Sequence, residues 1–274
     1  MSYRWTVIKS IMKREARSSF FSFGLYIAAT IACLVSAFIF NTYINTVEGN
    51  NIMVMASPLN TPLFYAVIVA ALYAAISSST ALSREKDRGT LEVLFYGPVD
   101  HLSVILAKFF EDIISFLIIM LLVTIYFAYA AITTNLGFSI TYLYAIILSI
   151  FIASCMSSFG LWLSSLTARI RTSILLLIVV MGGLLGLQFL QNYILTLKPE
   201  NLSLSMVYIM GIVSNILRVI KWVSPFSYLT DGINAVALGS VSMYIENMIG
   251  AIIYTVVLLT ATVYTLKWKG VRKL

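Results

Sequence analysis

The chain has 274 residues, of which 60% are hydrophobic and only 11% charged, with a mean hydropathy of +0.95. A water-soluble globular domain carries roughly 25% charged residues, so a soluble fold is excluded and one membrane domain over residues 1–274 is the economical reading. The formal charge of +7 raises the question of a nucleic-acid partner, but the basic residues flank apolar runs instead of gathering in a patch, and no nucleic acid is expected.

Residues 1–19 come first. On a helix, Trp5, Ile8, Ile11, Met12 and Ala16 share one face while Lys9, Lys13 and Arg17 recur every four residues on the other. That pattern predicts an amphipathic interfacial helix, apolar face at the acyl boundary and cations toward anionic headgroups. An ordinary basic flank that only fixes topology is the alternative. A cleavable signal peptide over 1–40 is disfavoured, because the apolar core is too long and no small-residue cleavage site follows it.

A hydrocarbon core about 30 Å thick takes about 20 apolar residues of helix. Residues 20–40 and 62–83 each qualify, separated by a polar stretch whose only charge is Glu48. A charged segment, 84–112, follows. From Ile113 to Ala168 there is no charge, too long for one span and right for a hairpin of two, 113–134 and 142–168, turning at Asn135-Leu136-Gly137. Span five covers 172–197 and span six 247–266. Between them, 198–246 holds two uncharged runs, Asn201–Leu217 and Gly232–Ile245, each short for a span. They form either short helices dipping partway into the membrane or an apolar cap; two short non-spanning helices, broken at Lys221–Pro225, are the preferred reading. Irregular backbone at depth would have to be shielded by protein.

Fifteen of the 18 basic residues lie in 1–19, 84–112, at Arg169 and Arg171, and after residue 266; only Lys198, Arg218 and Lys221 fall on the other side. By the positive-inside rule both termini are cytoplasmic. Glu111 and Asp112 are expected at the cytoplasmic interface, since charge buried in lipid is expensive. Cys33 and Cys155 fall inside apolar spans, where a thiol behaves as a small hydrophobe. With His101 the only histidine, no cluster has metal-ligand spacing. Glycines Gly182, Gly183 and Gly186 in span five, and the serines with Gly160 in span four, offer small surfaces for close helix approach. The span-five glycines serve either a dimer axis or packing within one subunit.

The segment that carries function runs from Arg84 to Asp112, with four basic and six acidic residues. Gly89 supplies a tight turn. A short amphipathic helix, Thr90–Tyr96, is stopped by Gly97-Pro98. Asp100 is placed to cap the next helix, which would run along the interface as Leu102–Phe110 before turning into span three. The short helix would offer Leu91, Leu94 and Phe95 to a cytoplasmic partner, an apolar patch rimmed by charge.

The run Glu85-x-x-x-Gly89-Thr90-Leu91-Glu92-x-Leu94-x-x-x-Pro98, ending in Ala107-Lys108, resembles the cytoplasmic signature of ABC-2 type permeases, the membrane subunits of one large class of ABC exporters. Ser224-Pro225-Phe226-Ser227-Tyr228-Leu229 with Asp231 is similar to a second, shorter family motif. The resemblance covers essentially the whole chain. It implies an all-α integral membrane protein of the ABC-2, type V exporter kind: six transmembrane helices, an interfacial N-terminal helix, a cytoplasmic coupling helix and short outer helices before the last span. It implies that Glu85, Arg88, Gly89, Thr90, Leu91, Glu92, Leu94, Phe95 and Pro98 couple the chain to an ABC ATPase subunit. It also implies that a second permease subunit, most simply an identical copy, shares the pathway, with Gly182, Gly183 and Gly186 at the dimer axis. The expected site is the plasma (cytoplasmic) membrane, with lipid bilayer around every span.

No Gly-x-x-x-x-Gly-Lys-Ser/Thr phosphate loop occurs. The chain is therefore expected to be no enzyme by itself and to bind no cofactor, ATP and Mg being held by the partner ATPase. The substrate class that suits a pathway lined by Phe, Tyr, Leu and Met is hydrophobic or amphiphilic. Two other functions compete. An ion-coupled secondary transporter would need ionisable residues at depth, which the six predicted spans lack; a membrane assembly or signalling protein would use the ATPase without moving a solute.

Overall fold

The computed structural model describes residues 2–50, 59–96, 99–134, 140–196, 208, 211, 215 and 222–269. Every element among them is an α-helix: α1 Ser2–Phe20, α2 Phe23–Asn50, α3 Asn60–Asp87, α4 Thr90–Tyr96, α5 His101–Thr134, α6 Ile140–Leu166, α7 Ile170–Thr196, α8 Pro225–Ala237 and α9 Val241–Lys269. Helices α2, α3, α5, α6, α7 and α9 are long and apolar enough to cross a membrane, six candidate spans among the described residues.

The centre of the bundle is the α3 and α6 pair. In their most apolar windows 61% and 67% of residues are buried, against 17% in α7 and 22% in α9. Small side chains explain the ranking. A Cβ added at Gly160 would fall 2.0 Å from Ser78 Oγ and 2.6 Å from the Ala75 carbonyl oxygen, so α6 can approach α3 this closely only with glycine there. Ser164 Oγ accepts from the backbone N–H groups of Leu82 and Ser83 at 3.1 and 2.9 Å, closing the lower end of the same seam. The hydroxyls of Ser78, Ser79 and Thr80 donate to carbonyls one turn back, at 2.8 to 3.0 Å, which lets polar residues sit on a buried face without loss of hydrogen bonding.

Three elements differ from the sequence expectation. Helix α5 is continuous over 34 residues, about 51 Å at 1.5 Å per residue, so Leu102–Phe110 is no separate interfacial helix. The segment contains neither glycine nor proline, and its charges find partners within the protein instead of forcing a bend. Before the last span the second short helix occupies Pro225–Ala237, and residues 241–246 belong to α9. Pro225 sits in the first turn, where its missing N–H costs nothing. Gly239, at φ +62°, ends α8 with N–H bonds from Gly239 to Val236 and from Ser240 to Ala235, the Schellman pattern. The run 201–217 lies outside the described residues except for 208, 211 and 215, and the hairpin turn 135–137 lies outside them altogether.

The apolar face of α1 is the third difference. Ile8 and Ile11 are buried against Leu82, Val104, Ala107 and Phe109, so α1 lies along the start of α5. Trp5, Phe20 and Phe21 remain exposed. Arg4 pairs with Asp100 at 2.8 Å.

Candidate functional site

The segment joining α3 to α5 is built on a helix stop. Gly89 has φ +68° and an added Cβ there would meet nothing within 4 Å; backbone conformation alone calls for glycine. Its N–H donates to the Lys86 carbonyl at 3.2 Å, and Thr90 Oγ1 donates to the Glu85 carbonyl at 3.3 Å. Two carbonyls left over at the end of α3 are thereby satisfied. Lys86 Nζ donates to the Ser165 carbonyl at 2.5 Å, tying the end of α3 to the end of α6.

Glu85 and Lys108, the first and last residues of the signature, meet. Lys108 Nζ lies 2.8 Å from Glu85 Oε1, with the two side chains 4% and 15% exposed. This near-buried pair fastens α3 to α5 directly behind α4. Helix α4 then presents two faces. Leu91 is buried with Ile105 and Leu266, Leu94 packs half-buried against the cluster of Ile8 and Val104, and Phe95 stacks on His101 at 4.3 Å. Outward stand Val93, 68% exposed, and Tyr96, 83% exposed, beside exposed Arg88 and Thr90. The patch offered to the outside is thus Val93 and Tyr96, and the three residues expected there face the chain's own core. The Glu92 side chain and Pro98 lie outside the described residues.

A cavity of about 950 Å³ opens beside this segment, bounded by α1, α3, α4 and α5. Arg14, Arg84, Arg88 and Lys108 share it with Glu15, Glu85 and Glu111. Burial raises the Glu15 carboxyl, but the nearby charges of Lys108, Arg14 and Arg84 and a hydrogen bond from Arg14 outweigh that and hold it below its ordinary value. Glu111 accepts from the Ser19 hydroxyl and from Ser115 at 3.3 Å.

Glu111 and Asp112 are buried within the protein. Their exposures are 6% and 0%, because α5 runs straight and carries both into the bundle. Both stand near the N-terminal end of α5, whose apolar candidate helix His101–Thr134 takes in the charged stretch ahead of the expected span 113–134. The spacing Lys108, Glu111, Ser115 along one helical stripe was the available signal, and assigning those residues to a separate interfacial helix hid it.

Gly182, Gly183 and Gly186 on α7 are exposed, and an added Cβ at any of them would meet nothing within 4 Å. Among the described residues nothing packs against them. Helix α7 holds to the chain through Leu177 and Met181 and through the Ser173 hydroxyl, which donates to the Ser79 carbonyl at 2.5 Å.

A family model described as ABC-2 family transporter protein matches residues 10–271. No curated protein matches the chain.

Proposed function

The chain belongs to the ABC-2 transporter family, as a multi-pass permease subunit of an ABC transporter, and from that premise we propose that it exports a hydrophobic or amphiphilic substrate, driven by a separate ATPase docked on α4. The observation that carries this reading is the two-sided construction of α4. Its outer face, Val93 and Tyr96, is open; its inner face is keyed to α5 and α9 through Leu91, Ile105 and Leu266. A displacement of α4 by nucleotide-driven closure of the ATPase would be passed to α5 and α9 by packing, and to α3 across the Glu85–Lys108 pair. ATP and Mg belong to the ATPase, and this chain's part is mechanical.

A second copy completes the pathway in this reading, facing the first across the open glycine face of α7. Both termini and the 84–112 segment lie on the cytoplasmic side of the plasma membrane. Buried Asp112 is the one feature that favours an ion-coupled carrier instead, and family membership outweighs it. The deciding experiment is reconstitution of the chain with its ATPase in proteoliposomes. ATP-dependent movement of an amphiphile, with matching stimulation of hydrolysis, is the expected result. Hydrolysis coupled to no solute movement supports the assembly or signalling function instead.

A further inference from the structure

The cavity between α1, α3 and α4 has a direction. Along α3 its wall includes the row Ile76, Thr80, Arg84, Arg88, four residues apart, with Tyr73 and Ser77 beside it, and so lies on one helical face. The stripe passes from aromatic and aliphatic to hydroxyl to guanidinium over fifteen residues, about 22 Å. One bilayer leaflet with its headgroups is also about 20 Å thick. The polarity order along the wall is that of a single lipid molecule, tail inward and head toward the cytoplasm.

The charges lining the cavity are unequal in their commitments. Arg14 pairs with Glu15 at 2.6 Å and Lys108 with Glu85 at 2.8 Å, while Glu111 is held by the hydroxyls of Ser19 and Ser115. Arg84 donates one bond, to Thr80 Oγ1 at 3.2 Å, out of the five N–H groups of a guanidinium. Among the described residues neither Arg84 nor Arg88 has a carboxylate within ion-pair distance. Two guanidiniums one helical turn apart, with Ser77 and Thr80 above them, match a phosphate, whose oxygens guanidinium binds bidentately.

We infer that this cavity binds a phosphate-bearing lipid of the inner leaflet, its phosphate at Arg84 and Arg88 and its chain toward Ile76 and Tyr73. The volume of about 950 Å³ is at the upper end of ordinary ligand sites and takes a headgroup with the first part of its chain. The inference deepens the amphiphilic-substrate reading and rests on it only for the lipid being cargo; binding itself requires no transport.

The test uses the full chain in neutral detergent micelles without its ATPase, so that failure of binding and failure of coupling are read in separate experiments. Fluorescent phosphatidic acid is titrated against fluorescent diacylglycerol of matched chains, which carries no phosphate, with inorganic phosphate as competitor. Phosphatidic acid is expected to bind about tenfold more tightly, as one charge-assisted hydrogen bond of net effect supplies. Arg84→Gln with Arg88→Gln should abolish the preference, and Arg84→Gln alone should halve it on a logarithmic scale. Lys9→Gln with Lys13→Gln, which changes the charge of α1 outside the cavity, should leave it intact. Equal binding of the two lipids overturns the inference, as does a preference that survives the double arginine change or is lost in the Lys9 and Lys13 control. Displacement of phosphatidic acid by inorganic phosphate at similar concentration assigns the site to a free anion and overturns the lipid.

Discussion

At the scale of single residues the Glu85–Lys108 pair shows what a motif conceals. Both residues stand in the signature, yet nothing in a separation of 23 positions says that they touch; the contact depends on how α3 docks against α5. A buried ion pair adds little net stability, whereas removing one partner strands a charge and costs about 3–5 kcal/mol. Lys108→Met is therefore expected to lower the thermal midpoint of the detergent-solubilised chain sharply, and Lys108→Met with Glu85→Gln should recover most of the loss. A double variant as unstable as the single one would show that the lysine acts through packing alone. Gly89 was fully legible, because a glycine that ends a helix beside a threonine calls for positive φ, and Gly89→Ala should cost about 1 kcal/mol. Glu111 and Asp112 were not legible, because their burial depends on α5 staying straight.

At the scale of elements, the short helix α4 carries two apolar stripes, and sequence alone does not say which turns inward. Leu91, Leu94 and Phe95 make the stronger one, at the i, i+3, i+4 spacing of a core-facing helix, and the fold spends it on its own core. Val93 and Tyr96 are left for a partner. This exchanges the expected effects of two substitutions, since the sequence reading put Leu94 in the docking face and left Val93 out of it. Leu94→Asp places a carboxylate among Ile8, Val104 and Val99 and should destabilise the chain itself, read as a lower thermal midpoint. Val93→Asp should leave that midpoint within about 0.5 kcal/mol, as exposed substitutions do, while weakening copurification with the ATPase and abolishing substrate-stimulated hydrolysis. Retention of the complex and of full transport in Val93→Asp would remove α4 as the coupling element. The small residues of α6 were read correctly as a packing surface, and Gly160 shows the reason; its partner α3 was out of reach, since a run of Ala and Ser matches many helices equally.

At the scale of the whole molecule, the span count follows from solvent physics and was legible, whereas the order of helices around the core was not. Hydropathy marks which segments leave water but treats every span alike, and only packing distinguishes central α3 and α6 from peripheral α7 and α9. The orientation is open to direct test. Cysteines introduced singly at Asn50 and Arg88 and exposed to an impermeant reagent outside intact cells should label at Asn50 alone, and the reverse pattern would invert the topology.

The peripheral helices bear on the proposed second copy. Both α7 and α9 expose apolar side chains, among them Ile178 and Val179 on the first and Ile253 and Val257 on the second, and lipid would cover either. What separates them is the glycine face of α7, open in the single chain, where small residues allow the backbones of two helices to approach closely. Cysteine at Gly183 should therefore form an oxidative crosslink to its symmetry mate in the intact complex, and cysteine at Val257 should not. A crosslink of mixed mass would identify a related permease as the partner. A crosslink at Val257 with none at Gly183 would move the subunit boundary to α9, and the pathway would then have to be built on the opposite side of the α3–α6 core.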